Sequence, residues 1–423
     1  MKNNEFYYAF NILMKVNFEG KKSNELLNEI RDNKKISYIS EIVYGVLENR
    51  IYLDHIIKNS SKKFPNKKAR TILQIGLYNI RFLNKKNYAI VNNLVEFTKG
   101  ISRGDSGYIN AILRRAIDDK SLWNIEETDK YKYLSIKYST SLDIVRYLID
   151  CYDFNFVEKL LESNNKNPVF SIRVNNLKCN KIKLVNMLSD RFILRESKIS
   201  NNSLIVENPN SILETEAFKK GYFIIQSEAS SLVCDILDPL ENSEILDLCA
   251  APGTKTSNIC QITKNSSKII ANDISKSKNY LIEDNIKRLG LRNIKITNYD
   301  ASEMIDEFKN RFDYVLCDLP CAGLGLMGRK PEIRYNRKLE DIIELSKLQR
   351  KILNNAVMYL KVGGILVFST CSLGKLENED NFKFINNKSF MKNIKIENNE
   401  YIELNAVDNH TDGFFMAKFI KQR

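Results

Sequence analysis

Apolar positions along the first third of the chain recur at helical spacing. The runs YYAFNILMKV (7–16), ISEIVYGVLEN (39–49), ARTILQIGLYNIRFL (69–83), YAIVNNLVEFT (88–98) and GYINAILRRAI (107–117) all show it. Glycine and lysine-asparagine clusters separate them, and prolines are nearly absent. Residues 1–130 are therefore predicted to be an all-α domain. SLDIVRYLIDCY (141–152) and FNFVEKLLES (154–163) continue as helices. The period then turns strand-like in NPVFSIRVNNLKC (167–179), a helix is predicted at 180–189, and LIVENP and GYFIIQ close a small α/β segment. Residues 131–234 thus read as a helical linker plus a small α/β unit, either a contact module or a simple connector.

From residue 235 to 423 the pattern changes again. EILDLCA, KIIAND, NIKITNYD, FDYVLCD and GILVFST are short β-rich runs, and SKNYLIEDNIKRLG and DIIELSKLQRKILNNAVMYL between them are helical. Such alternation predicts a mostly parallel sheet covered by helices on both faces, a Rossmann-like α/β domain. Ligands bind beyond the carboxyl ends of such strands. Four of these ends carry an aspartate: Asp247, Asp273, Asp300 and Asp318. Any one of them reads as readily as a helix cap. Together they point to a nucleoside-bearing cofactor, with Asp273 placed to accept ribose hydroxyls and Asp300 to flank a base. The first loop, DLCAAPGTKT (247–256), has small residues that allow close approach to the backbone. It is neither a dinucleotide fingerprint nor a P-loop. Gly253 and Lys255 alone would suit an ordinary turn.

Composition adds less. Of 423 residues, 65 are basic and 52 acidic, a formal charge of +13. Residues 1–130 hold 23 basic and 15 acidic residues, so more than half of the excess sits there. That fits either an RNA-contacting face or a solvated basic face inflated by biased genome composition. Eight cysteines without a CxxC pair exclude a disulfide scaffold. His55 and His410 lie far apart in sequence, so no metal site is expected. No signal-peptide core is evident, and no run reaches the roughly 18 apolar residues of a membrane span. A cytoplasmic protein with free thiols is expected.

Two cysteines follow strand-like runs. Cys321 lies in the turn DLPCAG after FDYVLC, and Cys371 in STCS after GILVFST; Cys317 reads as buried packing. Inert thiols would fit. So would covalent chemistry on a pyrimidine: a thiolate added to carbon 6 of cytosine makes carbon 5 nucleophilic toward an electrophilic methyl group, and a second group can assist release.

At these residues the chain resembles the Sun/Fmu family of RNA cytosine-5 methyltransferases. DLCAAPGTKT resembles the family loop DLCAAPGGKT, DLPCAG its DxPC[ST]G, and STCS its second cysteine motif. YGVLENR, LQIGLYNI, AIVNNLVE and YINAILRR resemble the NusB-like RNA-binding domain of its small-subunit ribosomal RNA branch, and SIRVNNLK and GYFIIQSEASSLV its linking RNA-contact segment. The resemblance implies an S-adenosylmethionine-dependent enzyme with a class I methyltransferase domain. Cys249, Ala250, Ala251, Pro252, Gly253, Thr254 and Lys255 would line the methionine portion, Asp273 the ribose and Asp300 the adenine. Cys371 would be the nucleophile, Cys321 would assist release, and Asp318 would sit between cofactor and target base. Arg329, Lys330 and Arg334, in GLGLMGRKPEIRY, would lie near substrate phosphate, and LENED (376–380) would start the helix after the second cysteine. The implied partner is 16S ribosomal RNA, with cytosine 967 as target; no DNA, no membrane and a monomer are expected. Another rRNA cytosine, a tRNA, or a non-catalytic RNA-binding role are the alternatives. Three positions depart from the family pattern. Thr254 replaces a glycine and narrows backbone freedom, which would lower cofactor affinity. Ala322 lacks the usual hydroxyl, and Ser227 stands where aspartate is usual.

Overall fold

Helix ends in the N-terminal region fall where a side chain can receive the free amide groups. Asn4 accepts from Phe6 N at the start of Glu5–Glu19, and Asn66 accepts from Ala69 N at the start of Lys67–Phe82. Gly20, at φ 68°, ends the first helix in the left-handed region that favours glycine. The computed structural model describes residues 4–83 and 85–423. The chain divides into two units, residues 1–150 with 330–337, and residues 151–329 with 338–423.

The first unit is all helical among its described residues, as its periodicity predicts. Its principal helices are Glu5–Glu19, Ile36–Glu48, Arg50–Ser60, Lys67–Phe82, Asn87–Ile101 and Ser106–Asp118. Leu13, Ile42, Val46, Leu73, Leu94 and Leu113 form a core closed to solvent. Gly45 permits a tight crossing, since a Cβ there would meet the Tyr78 ring at 1.9 Å. The segment Lys330–Arg337 belongs to this unit. Tyr335 packs on its core beneath the Arg50 guanidinium, 4.4 Å from the ring centroid. Arg334 is fully buried and donates to Glu48 O at 3.2 Å.

The second unit contains two sheets. Strands β1 (Ser171–Val174), β2 (Leu194–Glu196), β3 (Ser203–Val206) and β4 (Phe223–Ile225) form an antiparallel sheet in the order β2-β3-β1-β4. The larger sheet comprises β5 (Glu244–Asp247), β6 (Lys268–Asn272), β7 (Ile294–Thr297), β8 (Phe312–Asp318), β9 (Leu360–Thr370), β10 (Met391–Ile394), β11 (Ile402–Leu404) and β12 (Phe414–Lys421). Its order is β10-β12-β9-β8-β5-β6-β7, with β11 paired to β12. Strands β5 to β9 run parallel, and β12 closes antiparallel on β9. Helices such as Thr254–Ile262 and Leu339–Tyr359 connect the parallel strands. The chain winds outward from β5 to β7, then crosses to β8 on the other side of β5. The crevice beyond β5 and β8 is therefore the topological switch point of a Rossmann-like domain.

Candidate active site

The loop after β5 is shaped by its small residues. Ala250 N donates to Asn272 O at 2.8 Å, and Gly253 N closes a turn on Ala250 O at 2.6 Å. Gly253 takes φ 92°, and a Cβ there would press on Ile282 at 3.3 Å. Thr254 is the first residue of its helix and is outside the positive-φ set. At this helical position the backbone does not require glycine. Ser227 caps the helix Glu228–Leu237, as its Oγ accepts from Ser230 N, but without the charge an aspartate would bring.

Asp273 follows β6, with Oδ2 accepting from Ala251 N at 3.0 Å and Oδ1 from Ser275 N at 2.9 Å. Each oxygen keeps a lone pair for a hydroxyl. Asp300 is exposed, and its Oδ1 accepts from the Ser302 amide and hydroxyl. Asn272 was missed by sequence reasoning. Fully buried, it donates to Leu248 O and Tyr299 O and accepts from Tyr299 N, tying together the ends of β5, β6 and β7. Exposed Ile274 beside Asp273 offers an apolar surface to a flat base. Carboxylate acceptors, a glycine turn and a helix amino end together suit an adenosine-bearing cofactor.

Asp247 closes β5 and is buried, with Oδ2 accepting from Thr256 Oγ1 at 2.6 Å and no partner on Oδ1. Burial pushes its carboxyl up to about 7. Asp318 closes β8 at the edge of the crevice. Its Oδ2 meets Lys255 Nζ at 2.7 Å, and its Oδ1 accepts from Ser369 Oγ at 2.8 Å. Burial opposes the charge on Lys255, but Asp318 outweighs it and the amine is raised above its ordinary range.

Strands β8 and β9 are hydrogen-bonded neighbours, with Cys317 paired to Phe368 and Asp318 to Ser369. The turns beyond them bring Cys321 Sγ and Cys371 Sγ to 3.2 Å, with both thiols free and partly exposed. The hydrogen bond with Cys371, then burial, raises Cys321 well above the usual thiol range, and the charges of Glu377 and Asp318 add to this. Burial raises Cys249 likewise. Cys317 is closed to solvent.

The arginines expected near phosphate are placed otherwise. Arg329 Nε is paired with Asp412 at 2.6 Å and 2.8 Å, and Arg334 is buried in the helical unit, so neither presents a free guanidinium. Lys330 is exposed. Among the described residues, no cluster of three or more His, Cys, Asp or Glu could hold a metal ion, and no helix is long and apolar enough to cross a membrane.

Comparison with known proteins identifies the family and the fold. Residues 234–420 match the family model described as 16S rRNA methyltransferase RsmB/F, and residues 5–118 match the NusB family. A probable ribosomal RNA small subunit methyltransferase B of Bacillus subtilis is 32% identical over 367 residues, covering 85% of this chain and 80% of that protein. The crystal structure of PH0851 superposes with a TM-score of 0.84 at 25% identity, covering 99% of this chain and 98% of the other. The structure of NSun6 from Pyrococcus horikoshii with SFG has a TM-score of 0.60 at 25% identity and covers 70% of this chain and 98% of its own.

Proposed function

Because the chain belongs to the RsmB/F family of 16S rRNA methyltransferases, we propose that it methylates cytosine 967 of 16S ribosomal RNA at carbon 5 through a covalent adduct on Cys371. The observation that carries this reading is the pair of thiols 3.2 Å apart beside the Lys255–Asp318 ion pair. S-adenosylmethionine supplies the methyl group, and Asp273, Asp300 and the loop from Cys249 to Lys255 would hold it. Cys371 adds as thiolate to carbon 6, and carbon 5 becomes nucleophilic and takes the methyl. A base then takes the proton from carbon 5, and the electron pair of that C–H bond re-forms the 5,6 double bond as the Cys371 thiolate leaves carbon 6, with Cys321 assisting. Asp318 accepts from the cytosine edge while Lys255 and Ser369 fix its orientation. The basic N-terminal region adds RNA affinity, and the protein works in the cytoplasm as a monomer.

Bisulfite sequencing of ribosomal RNA, from cells with and without the gene and from reactions of the purified protein, tests this. The expected result is one 5-methylcytosine, at cytosine 967, absent when the gene is absent. Methylation confined to tRNA or to another rRNA cytosine would reject the assigned target. No transfer to any RNA would reject the enzyme reading.

A further inference from the structure

Four polar side chains behind the two cysteines are closed to solvent: Gln349, Glu377, Asn378 and Asn381. Glu377 Oε1 accepts from Ala322 N at 2.8 Å, and its Oε2 accepts from Ser372 Oγ at 2.6 Å. Ala322 and Ser372 are the residues immediately after Cys321 and Cys371. Gln349 Nε2 donates to Pro320 O at 2.8 Å and to Glu377 Oε1 at 2.9 Å, so the Cys321 turn is held on both sides. Asn378 does the same for the other turn. It accepts from Thr370 Oγ1 at 2.6 Å and donates to Ser372 O at 3.1 Å. Asn381 completes the group by donating to Gln349 Oε1 at 2.6 Å and to Glu377 O at 2.8 Å.

Burying a carboxylate is costly unless its oxygens are well bonded, and a satisfied buried network is rigid and geometrically selective. A capping acid at a helix start would have faced solvent. Glu377 instead joins the two turns through one side chain. We propose that Glu377 is a positioning residue whose bonds to Ala322 and Ser372 set the separation of the Cys321 and Cys371 thiols. The consequence for methyl transfer rests on the covalent reading above; the consequence for thiol spacing does not.

The spacing is measured without RNA or cofactor. Diamide takes two protons and two electrons from a pair of thiols, leaving a disulfide and a hydrazine, and peptide mass spectrometry follows the Cys321–Cys371 link. The wild-type protein should close this disulfide rapidly. Glu377→Ala should close it roughly tenfold or more slowly, since such reactions depend steeply on alignment. Glu377→Gln retains an acceptor for Ala322 N, and Ser372 Oγ can turn to accept, so its rate should return close to wild type. With substrate RNA, kcat of the Ala variant should fall by at least the same factor while calorimetry shows unchanged S-adenosylmethionine affinity. Wild-type disulfide closure by the Ala variant would overturn the proposal. So would a Gln variant as slow as Ala, or a loss of cofactor affinity matching the loss of kcat. Protein that closes the disulfide as described but methylates no RNA would reject the enzymatic reading and leave the clamp standing.

Discussion

Lys255 Nζ stands 2.7 Å from Asp318 Oδ2, joining the cofactor loop after β5 to the end of β8. Lys255 is 7% exposed and Asp318 32%. The Phe414 ring lies 5.2 Å from the same ammonium. The lysine thus holds Asp318, the acid proposed above to meet the target base, in addition to its expected place along the methionine portion. Lys255 Nζ and Ser369 Oγ each donate to one oxygen of this carboxylate and fix its orientation, and each oxygen keeps a lone pair.

Asp318→Asn should expose what this pairing contributes. In the wild type, the Lys255 pKa lies above its unfolded value, so the stabilisation is present below about pH 10.5 and lost above the folded pKa. In the variant, burial remains and the partner charge is gone, so the pKa falls below the unfolded value. The variant should lose about 2–4 kcal/mol near neutral pH, after allowance for the partial exposure of Asp318. That deficit should shrink as pH rises toward 10. Paired thermal melts from pH 7 to 10 check this, and a pH-independent deficit would refute the electrostatic account.

Asp273→Asn replaces one carboxylate oxygen with an amide nitrogen facing the Ala251 or Ser275 N–H. A charge-assisted bond to a ribose hydroxyl contributes roughly 1.5–3 kcal/mol. Calorimetry should show S-adenosylmethionine binding weakened about tenfold or more, with the melting temperature reported alongside. Unchanged affinity in the folded variant would remove Asp273 from the cofactor site.

Strand and helix periods made much of the second unit legible. FDYVLCD is β8 as read, and GILVFST lies within β9. The DLPCAG and STCS turns were visible because each breaks a strand with an odd residue type. The buried arginine of SIRV was not. Alternation would send Arg173 to solvent, yet β1 is covered on both faces. Its guanidinium donates to Gln226, Asn258, Ser257 and Thr254 O, holding the first turn after the cofactor loop. Glu377 was hidden for a related reason, since an acid among LENED reads as a helix start until its neighbours in space are known. The placement of Lys330–Arg337 in the helical unit depends on contacts hundreds of residues apart, such as Ser23 with Glu332, which carry no local signal.

Asp247 should give the protein a stability slope near neutral pH. Burial raises its folded pKa from 3.8 to about 7, so the folded state binds a proton more tightly than the unfolded chain. This contribution is full below about pH 4 and is lost as pH rises through 7. Asp247→Asn cannot ionise and retains an acceptor for Thr256 Oγ1. Relative to wild type, its stability should improve by up to a few kcal/mol between pH 5 and 8. Urea unfolding of both proteins across that range is the check. A pH-independent difference would mean that Asp247 stays ionised throughout.

The two cysteines are separated by what each variant traps. Cys371→Ser keeps the size but offers a far weaker nucleophile at neutral pH, so turnover should nearly vanish while cofactor binding persists. Cys321→Ala leaves Cys371 and Asp318 in place. Attack on carbon 6 and methyl transfer should then proceed, and release should stall because the thiol that stood 3.2 Å from the leaving sulfur is gone. Incubated with 16S ribosomal RNA and S-adenosylmethionine, the Cys321 variant should accumulate a band resistant to denaturing electrophoresis. Nuclease digestion and mass spectrometry should place a methylated cytosine on Cys371. The Cys371 variant should give no such band. An adduct on Cys321 in the Cys371 variant would reverse the roles, and full turnover by that variant would reject covalent attack by Cys371.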